Sequence, residues 1–211
     1  MDYTLNCHTA LVENPSSYGI LLHGYGANGQ DLIGLAPIFQ QAFPAMSIIS
    51  PDAPSVCAQN PSGFEWFDLQ DFSPEAMERG AKAALPALLD FLDSVTKEHQ
   101  IGYDQMVLIG FSQGTAMALQ AALGLKDSLR AVVGFSGFLA QGQPENQGDS
   151  VCPVHLVHGT QDPVVPIAAS QKAEKQLQDL GYTTSFQPCA GLDHSINEAG
   201  LASAVEFLRK I

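Results

Sequence analysis

Residues 106–119 read MVLIGFSQGTAMAL. The first six residues are almost all apolar, as in a buried parallel strand, and the residues after Gly114 favour a helix. Between these two patterns Gly110 and Gly114 flank Ser112, each at a distance of two residues. A turn this tight leaves no room for a Cβ atom at either glycine, and it exposes the serine hydroxyl. The stretch therefore predicts a strand–turn–helix unit that presents Ser112 at its tip.

The same alternation of strand and helix patterns extends along the whole chain. Buried strands are predicted for residues 18–23, 46–50, 106–111, 131–136, 154–158 and 184–188. Helices are predicted for residues 31–42, 73–99, 113–125, 166–180 and 197–210, and Pro86 is expected to kink or split the second of them. This order predicts an open, mainly parallel α/β sheet with helices on both faces and a ligand site at the carboxyl ends of the strands.

The length and the charge of the chain limit the classes of protein it can belong to. The 211 residues favour one domain over residues 1–211, with no room for a large cap domain. The net charge of −13 and the lack of Lys or Arg in the first 78 residues exclude a dedicated nucleic-acid-binding protein. No apolar run is long enough for stable membrane insertion, and the first residues do not resemble a secretion signal. We therefore expect a cytoplasmic protein.

The four cysteines are far apart and form no CxxC pair. Metal and redox sites that depend on cysteine usually need closely spaced pairs. We therefore expect free thiols and no metal site.

A serine hydroxyl is a weak nucleophile at neutral pH, so it needs a base and a group that orients the base. Asp162 lies in the turn after the predicted strand 154–158, and His194 lies in the turn after the strand 184–188. The order Ser112, Asp162, His194 is that of the α/β-hydrolases, and the carboxyl ends of parallel strands meet at one edge of a sheet. These three residues are therefore the predicted catalytic triad.

Other residues compete for the same roles. Ser136 lies in a similar Gly-Phe-Ser-Gly sequence, but it lacks the second spaced glycine. Asp193 adjoins His194, but neighbouring side chains usually diverge. His23 and His158 each precede a glycine at a predicted strand end. We interpret Ser136 as part of the site wall and both histidines as structural residues.

Negative charge on a tetrahedral intermediate needs hydrogen-bond donors. The N–H of Gln113 lies at the start of the helix that follows Ser112, and the sequence HGYGANG after the first strand can turn further N–H groups inward. We predict that the N–H groups of Tyr25 and Gln113 form the oxyanion hole.

Residues 51–71 have neither a helical nor a strand period and are predicted to form a long loop beside the site. Long loops in compact domains are often functional. Aromatic and apolar residues in and just after this loop are therefore candidate substrate-binding residues, namely Trp66, Phe67, Leu69 and Phe72.

The chain resembles the phospholipase/carboxylesterase family of α/β-hydrolases, which includes the acyl-protein thioesterases and small bacterial carboxylesterases. The resemblance is carried by LHGYG at 22–26, PDAP at 51–54, WFD at 66–68, GFSQG at 110–114, HGTQDPVVP at 158–166 and GLDH at 191–194. It implies an α/β-hydrolase fold, hydrolysis of esters or thioesters, no cofactor and a possible homodimer. We accordingly predict a serine carboxylesterase that acts on esters of small to medium acyl chains through an acyl-enzyme. An acyl-protein thioesterase or a lysophospholipase with the same triad remains the alternative.

Overall fold

A computed structural model describes residues 2–140 and 151–211. Within this part of the chain seven strands form one sheet, and two short strands form a separate ribbon. The strands are β1 (Cys7–Ala10), β2 (Ser17–Leu22), β3 (Met46–Pro51), β4 (Ser55–Val56), β5 (Phe64–Glu65), β6 (Met106–Phe111), β7 (Ala131–Phe135), β8 (Val154–Gly159) and β9 (Thr184–Cys189). The α-helices are α1 (Gly29–Ile33), α2 (Ala36–Ala42), α3 (Pro74–His99), α4 (Gln113–Gly124), α5 (Ile167–Asp179) and α6 (Glu198–Leu208).

The order of strands in the sheet is β1-β3-β2-β6-β7-β8-β9. Strand β1 pairs with β3 in an antiparallel direction, and all other pairs in the sheet are parallel. Every residue of β2, β3, β7 and β8 is buried, which explains why these strands are mainly apolar and lack a regular alternation of apolar and polar residues. The predicted mainly parallel α/β architecture is confirmed. Strands β2, β6, β8 and β9 consequently end at the same edge of the sheet.

Two hydrophobic clusters lie on opposite faces of the sheet. One contains buried residues of α3, α4 and α5, including Leu88, Met117 and Leu177. The other contains buried residues of α1, α2 and α6, including Phe39 and Leu208. Helices therefore cover both faces, as predicted, and within the described residues no cap domain is inserted between the elements.

Several local features differ from the prediction. The predicted helix 31–42 is two helices, because α1 ends at Gly34 and Pro37 lies in the first turn of α2. Helix α3 continues through Pro86 without being split. A proline removes one backbone hydrogen bond, at a cost of about 3 kcal/mol, but a long helix with a buried face can absorb this loss. Strand β1 and the ribbon β4–β5 are too short and too polar to produce a strand pattern in the sequence.

The four cysteines are free thiols. No helix in the described residues is long and apolar enough to cross a membrane. The same part of the chain contains no cluster of three or more metal-ligating side chains.

Candidate active site

Ser112 occupies the turn between β6 and α4 with φ 53° and ψ −115°, a backbone conformation that is strained for a residue with a side chain. Its N–H donates to the carbonyl of Phe135 at 2.8 Å, which anchors the turn to β7. A Cβ atom at Gly110 would overlap the backbone of α4, and one at Gly114 would overlap the carbonyl of Leu22. The turn can therefore form only with glycine at both positions. Strain that the surrounding structure maintains in this way is common at functional sites.

The side chain of Gln113 ties this turn to the loop 51–71. Its Nε2 donates to the carbonyl of Phe67 at 2.7 Å, and its Oε1 accepts from the N–H of Trp66 at 3.0 Å. The indole N–H of Trp66 in turn donates to the carbonyl of His23 at 3.1 Å. Trp66 and Phe67 are only 2% and 6% exposed, so their side chains belong to the core. Gln113 and Trp66 thus join three segments that lie far apart in the sequence.

The turn after β2 is shaped by the buried ring of His23. Its Nε2 accepts from the N–H of Ala53 at 2.9 Å, so its Nδ1 carries the proton and donates to the carbonyl of Gly24 at 2.7 Å. Asp52 next to Ala53 accepts from the N–H of Gly29 at 2.8 Å. Burial lowers the pKa of His23, which favours this neutral ring. His23 is therefore structural, as interpreted from the sequence, and Asp52 shapes the loop.

The predicted oxyanion donors belong to two segments close to Ser112. Gly24 and Tyr25 line the same groove as Ser112. Gln113 is the first residue of α4, where backbone N–H groups have no partner within the helix. Within the described residues neither the Tyr25 N–H nor the Gln113 N–H donates a hydrogen bond. Both donors are therefore free to bind a ligand.

Asp162 and His194 form a direct hydrogen bond. Nδ1 of His194 donates to Oδ2 of Asp162 at 2.7 Å, and the other oxygen of Asp162 accepts from the N–H groups of Val164 and Val165, both at 2.9 Å. The side chain of Asp162 is fully buried, whereas that of His194 is 17% exposed. Burial raises the pKa of Asp162, but the hydrogen bonds from His194, Val165 and Val164 outweigh it and lower the pKa below its ordinary value. Asp162 is therefore a carboxylate that orients the ring.

The loops that carry Asp162 and His194 are joined by backbone contacts. The N–H of Gln161 donates to the carbonyl of Leu192 at 2.9 Å, and the N–H of Gly191 donates to the hydroxyl of Thr160 at 2.9 Å. Gly191 has φ 72°, a conformation that favours glycine. These contacts fix the position of His194 relative to Asp162.

Ser112 and His194 line one groove of about 660 Å³ at the carboxyl edge of the sheet. The ring of His194 lies 4.9 Å from that of Phe111, the neighbour of Ser112. No hydrogen bond joins the hydroxyl of Ser112 to His194 in the described part of the chain. Catalytic hydrogen bonds are often long before substrate binds. Because Nδ1 of His194 faces Asp162, its Nε2 is left for a partner in the groove.

The remaining lining of the groove is mainly apolar. Of the predicted substrate-binding residues, Leu69 and Phe72 line it, whereas Trp66 and Phe67 do not. An aromatic residue in a loop can either bind substrate or pack in the core. Here the hydrogen bonds of the Gln113 side chain hold the backbone of Trp66 and Phe67 so that their side chains lie in the core. Apolar lining residues outside the predicted set include Met77, Phe138, Leu139 and Val165.

The competing candidates occupy other positions. Ser136 is buried with φ 48° at the end of β7 and is not among the residues that line the groove. Asp193 accepts from the hydroxyl of Ser195 and stabilises its own turn. His158 is buried and lies beside Asp162, with their closest side-chain atoms 3.3 Å apart. Sequence reasoning missed this last contact, and the only signal for it was the four-residue spacing of the two residues.

Comparisons with known proteins agree with this geometry. A family model described as Phospholipase/Carboxylesterase matches residues 12–211. The chain belongs to this family. Esterase YpfH of Escherichia coli is 27% identical over 190 residues, which is 90% of this chain and 81% of that protein. Acyl-protein thioesterase 1 of Saccharomyces cerevisiae is 29% identical over 206 residues, 90% of this chain and 91% of that protein.

A solved structure of the family has the same fold. The crystal structure of esterase PE8 is 37% identical and superimposes with a TM-score of 0.92 over 100% of both chains. The family resemblance identified from the sequence motifs is thus confirmed, and the protein is a serine hydrolase that acts on carboxylic esters or thioesters.

Proposed function

We propose that the protein is a serine carboxylesterase for esters of small to medium acyl chains, with Ser112 as nucleophile. The observation that carries this proposal is the hydrogen bond between His194 and the buried carboxylate of Asp162, at the edge of the groove that also contains Ser112. In this arrangement the ring has one nitrogen held by a carboxylate and the other available as a base.

The reaction would proceed in two steps. Nε2 of His194 takes the proton of the Ser112 hydroxyl while Oγ attacks the acyl carbon, and Asp162 stabilises the imidazolium. The N–H groups of Tyr25 and Gln113 bind the negative oxygen, and collapse of the intermediate transfers the proton from His194 to the leaving alcohol. Water then attacks the acyl-enzyme in the same way, which releases the acid and restores Ser112.

The groove would hold the acyl chain through apolar contact. Leu69 and Phe72 contribute one part of its lining, and Phe138 and Leu139 contribute another. Phe72 is 73% exposed, which is unusual for a large apolar side chain. Contact with substrate would bury its ring. No large cap covers the groove within the described residues, so a short ester can enter directly.

A thioesterase activity with the same triad is the second candidate. It is favoured by the acyl-protein thioesterases among the relatives, at 26–29% identity. A thiol leaves more readily than an alcohol, so the same residues would serve both reactions. We further propose that the substrate is a small-molecule ester or thioester and that the protein is cytoplasmic. We also propose that it forms a homodimer, and gel filtration would test this oligomeric state.

The test is a comparison of hydrolysis rates for p-nitrophenyl esters from acetate to palmitate, for acyl-coenzyme A thioesters of the same acyl chains and for a lysophospholipid. We expect the highest kcat/KM for esters of short or medium acyl chains, and no activity in Ser112→Ala. Higher kcat/KM for the thioesters would favour the second candidate. A folded protein with no activity on any of these substrates would contradict both.

A further inference from the structure

A second histidine contacts the carboxylate that binds His194. His158 lies near the end of β8, and its Nε2 is 2.8 Å from the carbonyl of Val165 and 3.3 Å from Oδ2 of Asp162. This Oδ2 is the same oxygen that accepts from His194. The side chains of His158 and Asp162 are both fully buried, so water does not compete for these contacts.

The neighbours of the ring determine which nitrogen carries its proton. A carbonyl and a carboxylate can only accept, so Nε2 of His158 must be the donor. Nδ1 lies 2.7 Å from the hydroxyl oxygen of Ser170, and this hydroxyl donates to the carbonyl of Gly137 at 2.7 Å. Ser170 on α5 thus holds one side of the ring while the other side donates to the turn that contains Asp162.

The ring of His158 contacts both ends of the turn that runs from Asp162 to Val165. The N–H of Val165 donates to Oδ1 of Asp162, while the carbonyl of Val165 accepts from His158. Movement of the His158 ring would therefore remove its hydrogen bond to the Val165 carbonyl and its contact with Oδ2 of Asp162 at the same time. A change in the position of Oδ2 would turn the ring of His194, because their hydrogen bond fixes its orientation.

We propose that His158 is a positioning residue for the reaction, whose Nε2–H holds Asp162 and the 162–165 turn in the geometry that orients His194. This inference rests on the role proposed above for Asp162. It adds a fourth side chain to the site, one that touches neither substrate nor Ser112.

Two substitutions separate the two sides of the ring. The amide of asparagine reaches about as far as Nδ1 of histidine, so His158→Asn keeps a partner for Ser170 but loses the hydrogen bond to the Val165 carbonyl and the contact with Asp162. The amide of glutamine reaches about as far as Nε2, so His158→Gln can restore the hydrogen bond to Val165 and the contact with Asp162. Comparison of these variants shows whether His158 acts by orienting Asp162 or only by filling the space that its ring occupies.

His155 on the same strand provides a matched control. It is also buried, and its two nitrogens bind the hydroxyls of Ser185 and Ser203. Ser203 lies on α6, which covers the face of the sheet opposite to α5. His155→Asn therefore removes a comparable buried ring without touching the turn at Asp162.

The experiment measures kcat, KM and the melting temperature with p-nitrophenyl butyrate. For His158→Asn we expect kcat to fall by about tenfold to a hundredfold with KM within about twofold, as for small misplacements of catalytic groups. His158→Gln should recover most of this loss, and His155→Asn should lower the melting temperature while leaving kcat unchanged. Ser170→Ala should lower kcat, as His158→Asn does. If His158→Asn does not fold, the kcat of Ser170→Ala tests the positioning role of His158 instead.

Equal kcat values for His158→Asn and His158→Gln, or an equal loss of kcat in His155→Asn, would overturn the inference. A wild-type kcat in Ser170→Ala would do so if His158→Asn does not fold. Failure of the proposed function has a different signature, since Asp162→Asn would then retain activity whatever the behaviour of His158.

Discussion

Replacement of Asp162 by Asn tests the orientation of His194 with almost no change in volume. The carboxylate accepts from His194 Nδ1 at 2.7 Å and from the N–H groups of Val164 and Val165 at 2.9 Å. An asparagine can keep its oxygen on the two N–H groups, but its NH₂ group then faces the ring. His194 must respond with the proton on Nε2, where it can no longer accept the proton of Ser112.

The same substitution in another Ser-His-Asp enzyme lowers kcat by about 10⁴-fold, because the ring adopts the wrong tautomer. We expect a similar loss here, which corresponds to about 5.5 kcal/mol in activation free energy. The assay is kcat and KM on p-nitrophenyl butyrate at neutral pH. Asp193→Asn is the matched control, since Asp193 binds Ser195 instead of the ring and its change should alter kcat by no more than about twofold. The reasoning is refuted if Asp162→Asn retains most of its activity, or if Asp193→Asn loses as much.

Three further predictions concern the turn at Ser112, the groove and the pH dependence of stability. Gly114→Ala places a Cβ atom on the backbone carbonyl of Leu22. We therefore expect the free energy of unfolding, measured by urea denaturation, to fall by about 1–3 kcal/mol or more. Gly34→Ala in an open helical position should leave it unchanged or raise it, and similar losses in both variants would contradict this account. Phe72→Ala should raise KM for hexanoate esters by several-fold and leave kcat/KM for acetate unchanged, because the exposed ring lines the groove but is not part of the predicted triad. Equal effects on both esters would contradict a role in binding the acyl chain. Burial lowers the pKa of four histidines from the ordinary value of 6.5, so the unfolded state binds more protons below that pH and the melting temperature should fall as pH decreases through 6.5. These residues are His23, His99, His155 and His158. Calorimetry at constant ionic strength would detect the trend, and a melting temperature that rises on acidification through this range would contradict it.

The sequence predicted the sheet well because its central strands are buried on both faces and are therefore mainly apolar. The glycines around Ser112 were equally informative, since the overlap that a Cβ atom would cause there involves backbone atoms. Short elements left no such signal. Strand β1 is half-exposed and four residues long, and the ribbon β4–β5 contributes only two residues per strand.

Contacts between distant segments were not predictable from local patterns. Trp66 and Phe67 looked like substrate-binding residues because they lie in a loop, yet the side chain of Gln113 binds the backbone of both from 46 and 47 residues away. His158 looked like an ordinary structural histidine because nothing in the sequence shows that Val165 folds back over its ring. Such contacts depend on how the loops pack together at the edge of the sheet.

The central claim is that Ser112 is the nucleophile. It is tested most directly by treatment with a fluorophosphonate, digestion with trypsin and mass spectrometry of the peptides. Lys126 and Arg130 lie between Ser112 and Ser136, so the two serines fall in different tryptic peptides. We predict one adduct per chain on the peptide that contains Ser112, and no adduct in Ser112→Ala. A folded wild-type protein that remains unlabelled, or an adduct on the peptide that contains Ser136, would contradict the account.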